Sequence, residues 1–225
     1  MEKVKLVLMA SGNGTDAEAI IQAWKNGSIP EVGGIVLIST KETAGCFEMA
    51  KKYGVRAIFA DYAKFGATGM EEKISKFFLE SKVDLIFLVG CMYRVLLSER
   101  AERIKMYNVH PADIRMHGGD GMYGLAVHRH VLFEILDRLR RGKIMLGRPI
   151  FTYPTVHEAA RDYDSGDVLL QGAVEIPEYI LKDLLHNKMS LEDGAKALRQ
   201  KVLPYEHLML PTAVRMAAKK ILDQR

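Results

Sequence analysis

Asn108 and His110 stand two residues apart in "MYNVHPADIR", residues 106–115, at the end of a strand-like run that Pro111 closes. Strand side chains alternate faces, so the amide and the imidazole point the same way. An amide donor beside an imidazole suits an oxygen that gains negative charge during a reaction. It equally suits a strand end whose polar groups meet the backbone of the next turn. A second group lies in "VHEAARDYDSGDVLLQ", residues 156–171, where His157 precedes Asp164. A carboxylate near His110 would raise its pKa and hold the ring in one orientation. Aspartate is also an ordinary turn former, and Asp162 and Asp167 compete with Asp164 for a special role.

A third group is the glycine turn in "MASGNGTDAEAI", residues 9–20. Gly12 and Gly14 permit close backbone approach, and the helix start beyond them offers unpaired N–H groups and a positive dipole end. Ala17 occupies the third glycine position of a dinucleotide fingerprint, and no Gly-Lys-Ser/Thr follows, so a monophosphate suits the turn better than a dinucleotide. The alternative is a tight strand-to-helix turn capped by Thr15 or Asp16. His117, His128, His130, His186 and His207 form no metal pattern, and no metal is expected.

The elements that must position these groups follow from periodicity. "KLVLMA", "VGGIVLIS", "VRAIFA" and "VDLIFLVG" have strand character. "TDAEAIIQAWKNG", "AGCFEMAKKYG" and "GMEEKISKFFLESK" alternate with them as helices. That order implies βαβ units and an open, mostly parallel, Rossmann-like twisted sheet with helices on both faces. In the second half "DIRMHGGDGMYG" is a glycine-rich loop and "LAVHRHVLFEILDRLRRG" an amphipathic helix. "RPIFTYPTVHEA" and "GDVLLQGAVEIP" form paired strands around "RDYDSG". From Ser190 the tail is helical, with "SLED" as a helix start. No linker or repeat breaks the chain, so one domain over 1–225 is expected, with a phosphate-binding half at 1–110 and a second half at 111–225.

The 225 residues are 48% hydrophobic and 27% charged, ordinary for a soluble globular chain. A formal charge of +4 is compatible with small anionic ligands and gives no reason to invoke nucleic acid. No apolar run approaches a membrane span. Cys46 and Cys91 are too few for a disulfide framework, so a reducing cytoplasm is expected.

Taken in order along the chain, these motifs resemble those of the folate-dependent formyltransferases. "LVLMASGNGTDAEAII" is similar to the family's phosphate-holding strand, turn and helix, "GCMYRVL" to its folate-contacting segment, and "NVHP" to its catalytic Asn-x-His-Pro. "VHEAARDYDSGDVLLQ" is similar to the segment with a further histidine and the catalytic aspartate, and "YEHLMLPTAV" to the element whose glutamate contacts the ribose. The resemblance implies the formyltransferase fold, with Asn108, His110 and Asp164 as catalytic residues and His157 behind them. It implies Ser11, Gly12, Asn13, Gly14 and Thr15 around the phosphate and Glu206 on the ribose. Met92, Arg94, Val95 and Leu96 would border the pterin of 10-formyltetrahydrofolate, the co-substrate. The acceptor would be the amine of glycinamide ribonucleotide, with an amino sugar, water or binding without turnover as alternatives. Small molecules are the partners implied, with no nucleic acid or membrane, and a monomer or homodimer is left open. This chain departs from the family after Pro111, where "ADIRMHGGDGMYG" replaces a Ser-Leu-Leu-Pro stretch, and at Asp167, where the family has proline.

Overall fold

The computed structural model describes residues 2–225. The chain divides into two compact units, one running through Val109 together with Leu210–Arg225, the other His110–Met209. The fold is α/β, with an open and mostly parallel sheet.

The first unit holds β1 (Val4–Ala10), α1 (Thr15–Lys25), β2 (Val32–Ser39), α2 (Cys46–Lys52), β3 (Arg56–Phe59), α3 (Tyr62–Glu80), β4 (Leu85–Leu88) and most of β5 (Lys105–His110). Their order across the sheet is β3-β2-β1-β4-β5, and all four pairings are parallel. β1 and β4 lie in the middle, and all four residues of β4 are buried. That explains why "LIFL" reads as an unbroken apolar run instead of alternating. Parallel pairing puts the carboxyl ends of all the strands at one edge, where open α/β sheets bind ligands. There Ser11 N–H donates to the Gly90 carbonyl at 3.0 Å, joining the segments that leave β1 and β4. Trp24 on α1 is tied to the sheet by its indole N–H, which donates to the Val32 carbonyl at 3.1 Å.

α3 begins earlier than the helix expected from Gly69. Asp61 accepts from Lys64 N–H and starts a turn at Tyr62, and Gly66 (φ 65°, ψ 178°) then breaks the helical backbone. The buried Tyr62 stacks on Tyr93 with ring centroids 5.6 Å apart.

The second unit contains α4 (Ile114–His117), α5 (Leu125–Arg140), β6 (Phe151–Thr152), β7 (Thr155–Glu158), β8 (Val168–Gln171), β9 (Val174–Glu175), α6 (Glu178–Leu185) and α7 (Leu191–Leu222) up to residue 209. The expected strand pairing forms as two antiparallel ladders, β7 with β8 and β6 with β9. Val127, Val131, Leu132 and Ile135 of α5 pack with Ile180, Leu181 and Leu184 of α6 and Ala195, Leu198 and Val202 of α7. Ser190 Oγ accepts from Asp193 N–H at 3.1 Å and bonds the Asp193 carboxylate at 2.6 Å, which starts α7 at the expected place. Two helices escaped the sequence reading. α6 is only eight residues long, and α4 is a single turn inside the glycine-rich loop, capped by the Asp113 carboxylate on Arg115 N–H. Among the described residues no helix is long and apolar enough to cross a membrane.

Candidate active site

His110 ends β5 and is buried at 3% exposure. Its Nε2 lies 2.9 Å from the carbonyl of His117, the last residue of α4. A carbonyl only accepts, so Nε2 carries the ring proton and Nδ1 faces the opposite way. Nδ1 is 3.5 Å from Asp164 Oδ2, and the other carboxylate oxygen, Oδ1, is 3.3 Å from His157 Nε2. His157 Nδ1 donates to the Glu158 carbonyl at 3.0 Å. Asp164 therefore sits between two imidazoles, each turning toward it the nitrogen not bound to a carbonyl. Gly119 N–H completes its surroundings with a 3.0 Å bond to Oδ2.

Asp164 occupies the left-handed region, with φ 50°. A non-glycine residue there is uncommon and holds local strain, tolerated best by Asp and Asn. The Asp167 carbonyl accepts Glu158 N–H at 2.8 Å and closes the hairpin that presents the carboxylate.

Charge follows from burial and neighbours. Burial pushes the His110 imidazole below its ordinary value, while the Asp164 charge and the His117 carbonyl oppose that fall. Burial pushes the Asp164 carboxyl up, but the His157 hydrogen bond, the His110 charge and the Gly119 N–H together hold it below the usual carboxylate value. The pair is thus an anion beside an imidazole whose protonated form is a stronger acid than in water.

His128 on α5 is a separate buried histidine, 2% exposed, with no hydrogen-bond partner for Nδ1 among the described residues. Burial, aided by the charge of Arg199 and of His110, lowers its pKa from 6.5 to about 4. The unfolded chain binds that proton first as pH falls below 6.5, so stability falls with pH until the folded state also protonates near 4. At ~1.4 kcal/mol per pH unit this amounts to about 3 kcal/mol. Urea unfolding at pH 6.5 and pH 4 measures the loss, and His128→Leu is expected to flatten that part of it.

In the first unit the glycine turn is built against two neighbours. Met92 N–H donates to Ser11 Oγ at 2.8 Å, and Ser11 Oγ also bonds Thr40 Oγ1, so a candidate phosphate residue and a candidate folate residue meet. Ser11 is buried, whereas Gly12, Asn13 and Thr15 are exposed. Gly14 is buried with φ 77°, and a Cβ there would lie 2.7 Å from Cys46 Cβ. Cys46 N–H donates to the Gly12 carbonyl at 3.1 Å, and a Cβ on Gly45 would lie 2.8 Å from Asn13 Oδ1. The start of α2 thus braces the turn, a role no sequence motif signalled.

The remaining candidates are distributed by element. Met92 is exposed, Arg94 and Leu96 are half-buried and Val95 is buried in the irregular segment after β4. Asn108 is half-buried on β5 beside Leu88 of β4. Glu206 is buried on α7. Sequence reasoning missed the His117 carbonyl and the Gly119 N–H, because backbone groups carry no side-chain signature. Among the described residues no cluster of three or more His, Cys, Asp or Glu side chains is placed to hold a metal ion.

The first unit thus carries an open parallel sheet with a braced glycine turn after β1, and the second a buried histidine–aspartate contact. The chain belongs to the formyl transferase family, whose match runs over residues 4–214. It is 27% identical over 232 residues to the chloroplastic phosphoribosylglycinamide formyltransferase of Arabidopsis thaliana, covering 90% of this chain and 73% of that one. It is 28% identical to the Vigna unguiculata protein of the same name, covering 92% of this chain and 58% of the longer relative. The structure of glycinamide ribonucleotide transformylase 1 from Symbiobacterium toebii superposes with a TM-score of 0.71 at 24% identity, covering 97% of this chain and 89% of that one.

Proposed function

We infer that this chain transfers a formyl group from 10-formyltetrahydrofolate to the primary amine of glycinamide ribonucleotide, a step of purine biosynthesis, as one formyltransferase domain. The observation that carries the reading is the buried His110–Asp164–His157 contact, a group able to hold and pass a proton. The family membership and the names of the similar proteins support it. The acceptor nitrogen forms a bond to the formyl carbon, the bond from that carbon to the donor nitrogen breaks, and the amine proton leaves for that departing nitrogen. No nucleophilic side chain is needed.

Each residue then has a task. Asn108 donates a hydrogen bond to the formyl oxygen as it becomes anionic. His110 passes its proton to the leaving nitrogen and is recharged by the amine proton with the help of Asp164, so that one proton moves in all. Asp164 holds His110 in orientation and favours its cation, and His157 steadies Asp164 from the other side. Gly12, Asn13, Gly14 and Thr15 hold the phosphate with backbone N–H groups, Ser11 anchors the start of that turn through its bond to the Gly90 carbonyl, and Glu206 receives ribose hydroxyls. Met92, Arg94, Val95 and Leu96 border the pterin of the donor, whose reactive formyl group is the chemistry it brings. Donor and acceptor are both small soluble molecules, and we place the reaction in the cytoplasm; the two plant relatives named above are chloroplastic.

Loss of 10-formyltetrahydrofolate, followed with and without glycinamide ribonucleotide, tests the assignment. Acceptor-dependent loss is the expected result. Acceptor-independent loss would assign water as the acceptor, and no loss at all would remove the catalytic reading.

Gly14→Ala tests the phosphate turn. The substitution places an L side chain at φ 77° and against Cys46, costing roughly 1–2 kcal/mol locally. The expected outcome is a rise of about tenfold in KM for the ribonucleotide, with kcat at saturation changed far less. Steady-state kinetics with each substrate varied in turn would show it.

A further inference from the structure

The loop after Pro111, where this chain leaves the family pattern, contacts both members of the candidate acid–base pair. His117 offers its carbonyl to His110 Nε2 at 2.9 Å, and Gly119 offers its N–H to Asp164 Oδ2 at 3.0 Å. Between them Gly118 lies against the aspartate, where a Cβ would be 2.8 Å from Asp164 Cβ and would overlap the Ile114 carbonyl. Three consecutive residues thus supply an acceptor, a bare backbone and a donor, in the order that a histidine and an aspartate side by side require. The single turn of α4 fixes this arrangement. Its start is capped by Asp113, which also binds the Arg115 guanidinium at 2.9 and 3.0 Å, and its end bonds Gly118 N–H to the Ile114 carbonyl at 3.1 Å.

We propose that the backbone of His117–Gly118–Gly119 is a brace that positions His110 and Asp164 for proton transfer, making this loop part of the catalytic machinery. The proposal rests on the formyl-transfer reading for its kinetic consequences and on geometry alone for its structural ones. The His117 carbonyl locks the proton of neutral His110 on Nε2. Only Nδ1 is then left to take up a second proton, on the side of the carboxylate. The Gly119 N–H keeps that carboxylate from turning away. These residues act through His110 and Asp164 and touch no reacting atom themselves.

The titratable groups facing His110 are Asp164, Asp113, His157, His117 and His128. Loss of the His117 carbonyl removes a hydrogen bond that favours the His110 cation, so the midpoint at which His110 loses its proton moves to lower pH. Gly118→Ala is the first test, read by NMR titration of the His110 ring protons without substrate and by the pH profile of kcat. The expected result is a lower His110 midpoint. The alkaline limb of kcat should move by the same amount, and kcat at pH 7.5 should fall roughly 10- to 100-fold with KM for either substrate nearly unchanged. A folded variant with the wild-type His110 titration would overturn the proposal.

Should Gly118→Ala fail to fold, semisynthetic replacement of Gly119 by glycolate decides. It exchanges the N–H for an ester oxygen without adding a side chain. A changed titration of the His110–Asp164 pair supports the brace, and an unchanged one overturns it. Because the NMR reading needs no turnover, a protein that proves inactive toward glycinamide ribonucleotide would refute the proposed function while leaving the brace to be judged separately.

Discussion

His110→Ala is expected to lower kcat for formyl transfer by about 10³-fold or more while the protein still binds its ribonucleotide. Positioned proton transfer contributes roughly 10²–10⁴-fold to rate, and an electrostatic donor to a developing oxyanion contributes a similar share. His110 is the one imidazole of the cluster on the strand that carries Asn108, so both contributions converge on it. Alanine also removes the ring that separates the His117 carbonyl from Asp164, leaving the carbonyl without that donor and Asp164 with His157 and the Gly119 N–H. Single-turnover kinetics would separate loss of chemistry from loss of binding. A kcat within tenfold of wild type would mean that the proton is carried elsewhere. His157 lies on β7 and not on the strand that carries Asn108.

Asp164→Asn is expected to be nearly as damaging, in the range of 10²–10³-fold, and to leave a different signature in pH. The amide keeps the shape of the carboxylate and can still accept Gly119 N–H, but its negative charge is gone. That charge opposes the fall in the His110 pKa caused by burial. Without it the imidazole loses its proton at lower pH, and activity that depends on the cation disappears earlier as pH rises. The alkaline limb of the kcat profile should therefore move toward acid in Asp164→Asn and vanish into a uniformly low rate in His110→Ala. Stability should respond as well. Asp164 has a folded-state pKa below its ordinary value, so its carboxylate stabilises the fold above pH 3.8 and that stabilisation is lost as pH falls through the folded value. Asparagine removes it at neutral pH, and urea unfolding at pH 7 would register the difference.

What could be read from sequence was whatever side-chain type and spacing encode. The alternation of strands and helices through β5 was legible because buried parallel strands are apolar throughout and the intervening helices carry a 3.6-residue period. The β7–β8 hairpin was legible from the polar turn "RDYDSG" between two β-rich runs, and α7 from the Ser190 cap. α4 was not, since four residues set no period and the surrounding glycines read as loop. Asp164 could be nominated beside Asp162 and Asp167, but its φ of 50° and its place between two imidazoles depend on contacts made across the chain. The brace is the extreme case. "HGG" presents a carbonyl, an absent side chain and an N–H, none of which any residue type announces.

The indole bond from Trp24 to the Val32 carbonyl has a practical side. Trp24 is the sole tryptophan in the chain, and it belongs to the unit that runs through Val109. Fluorescence excited at the red edge of aromatic absorption therefore reports on the unit that holds the glycine turn and is blind to residues 110–209. If the two units unfold separately, emission will trace one transition where far-ultraviolet circular dichroism traces two. The histidine–aspartate cluster could be lost without any change in emission.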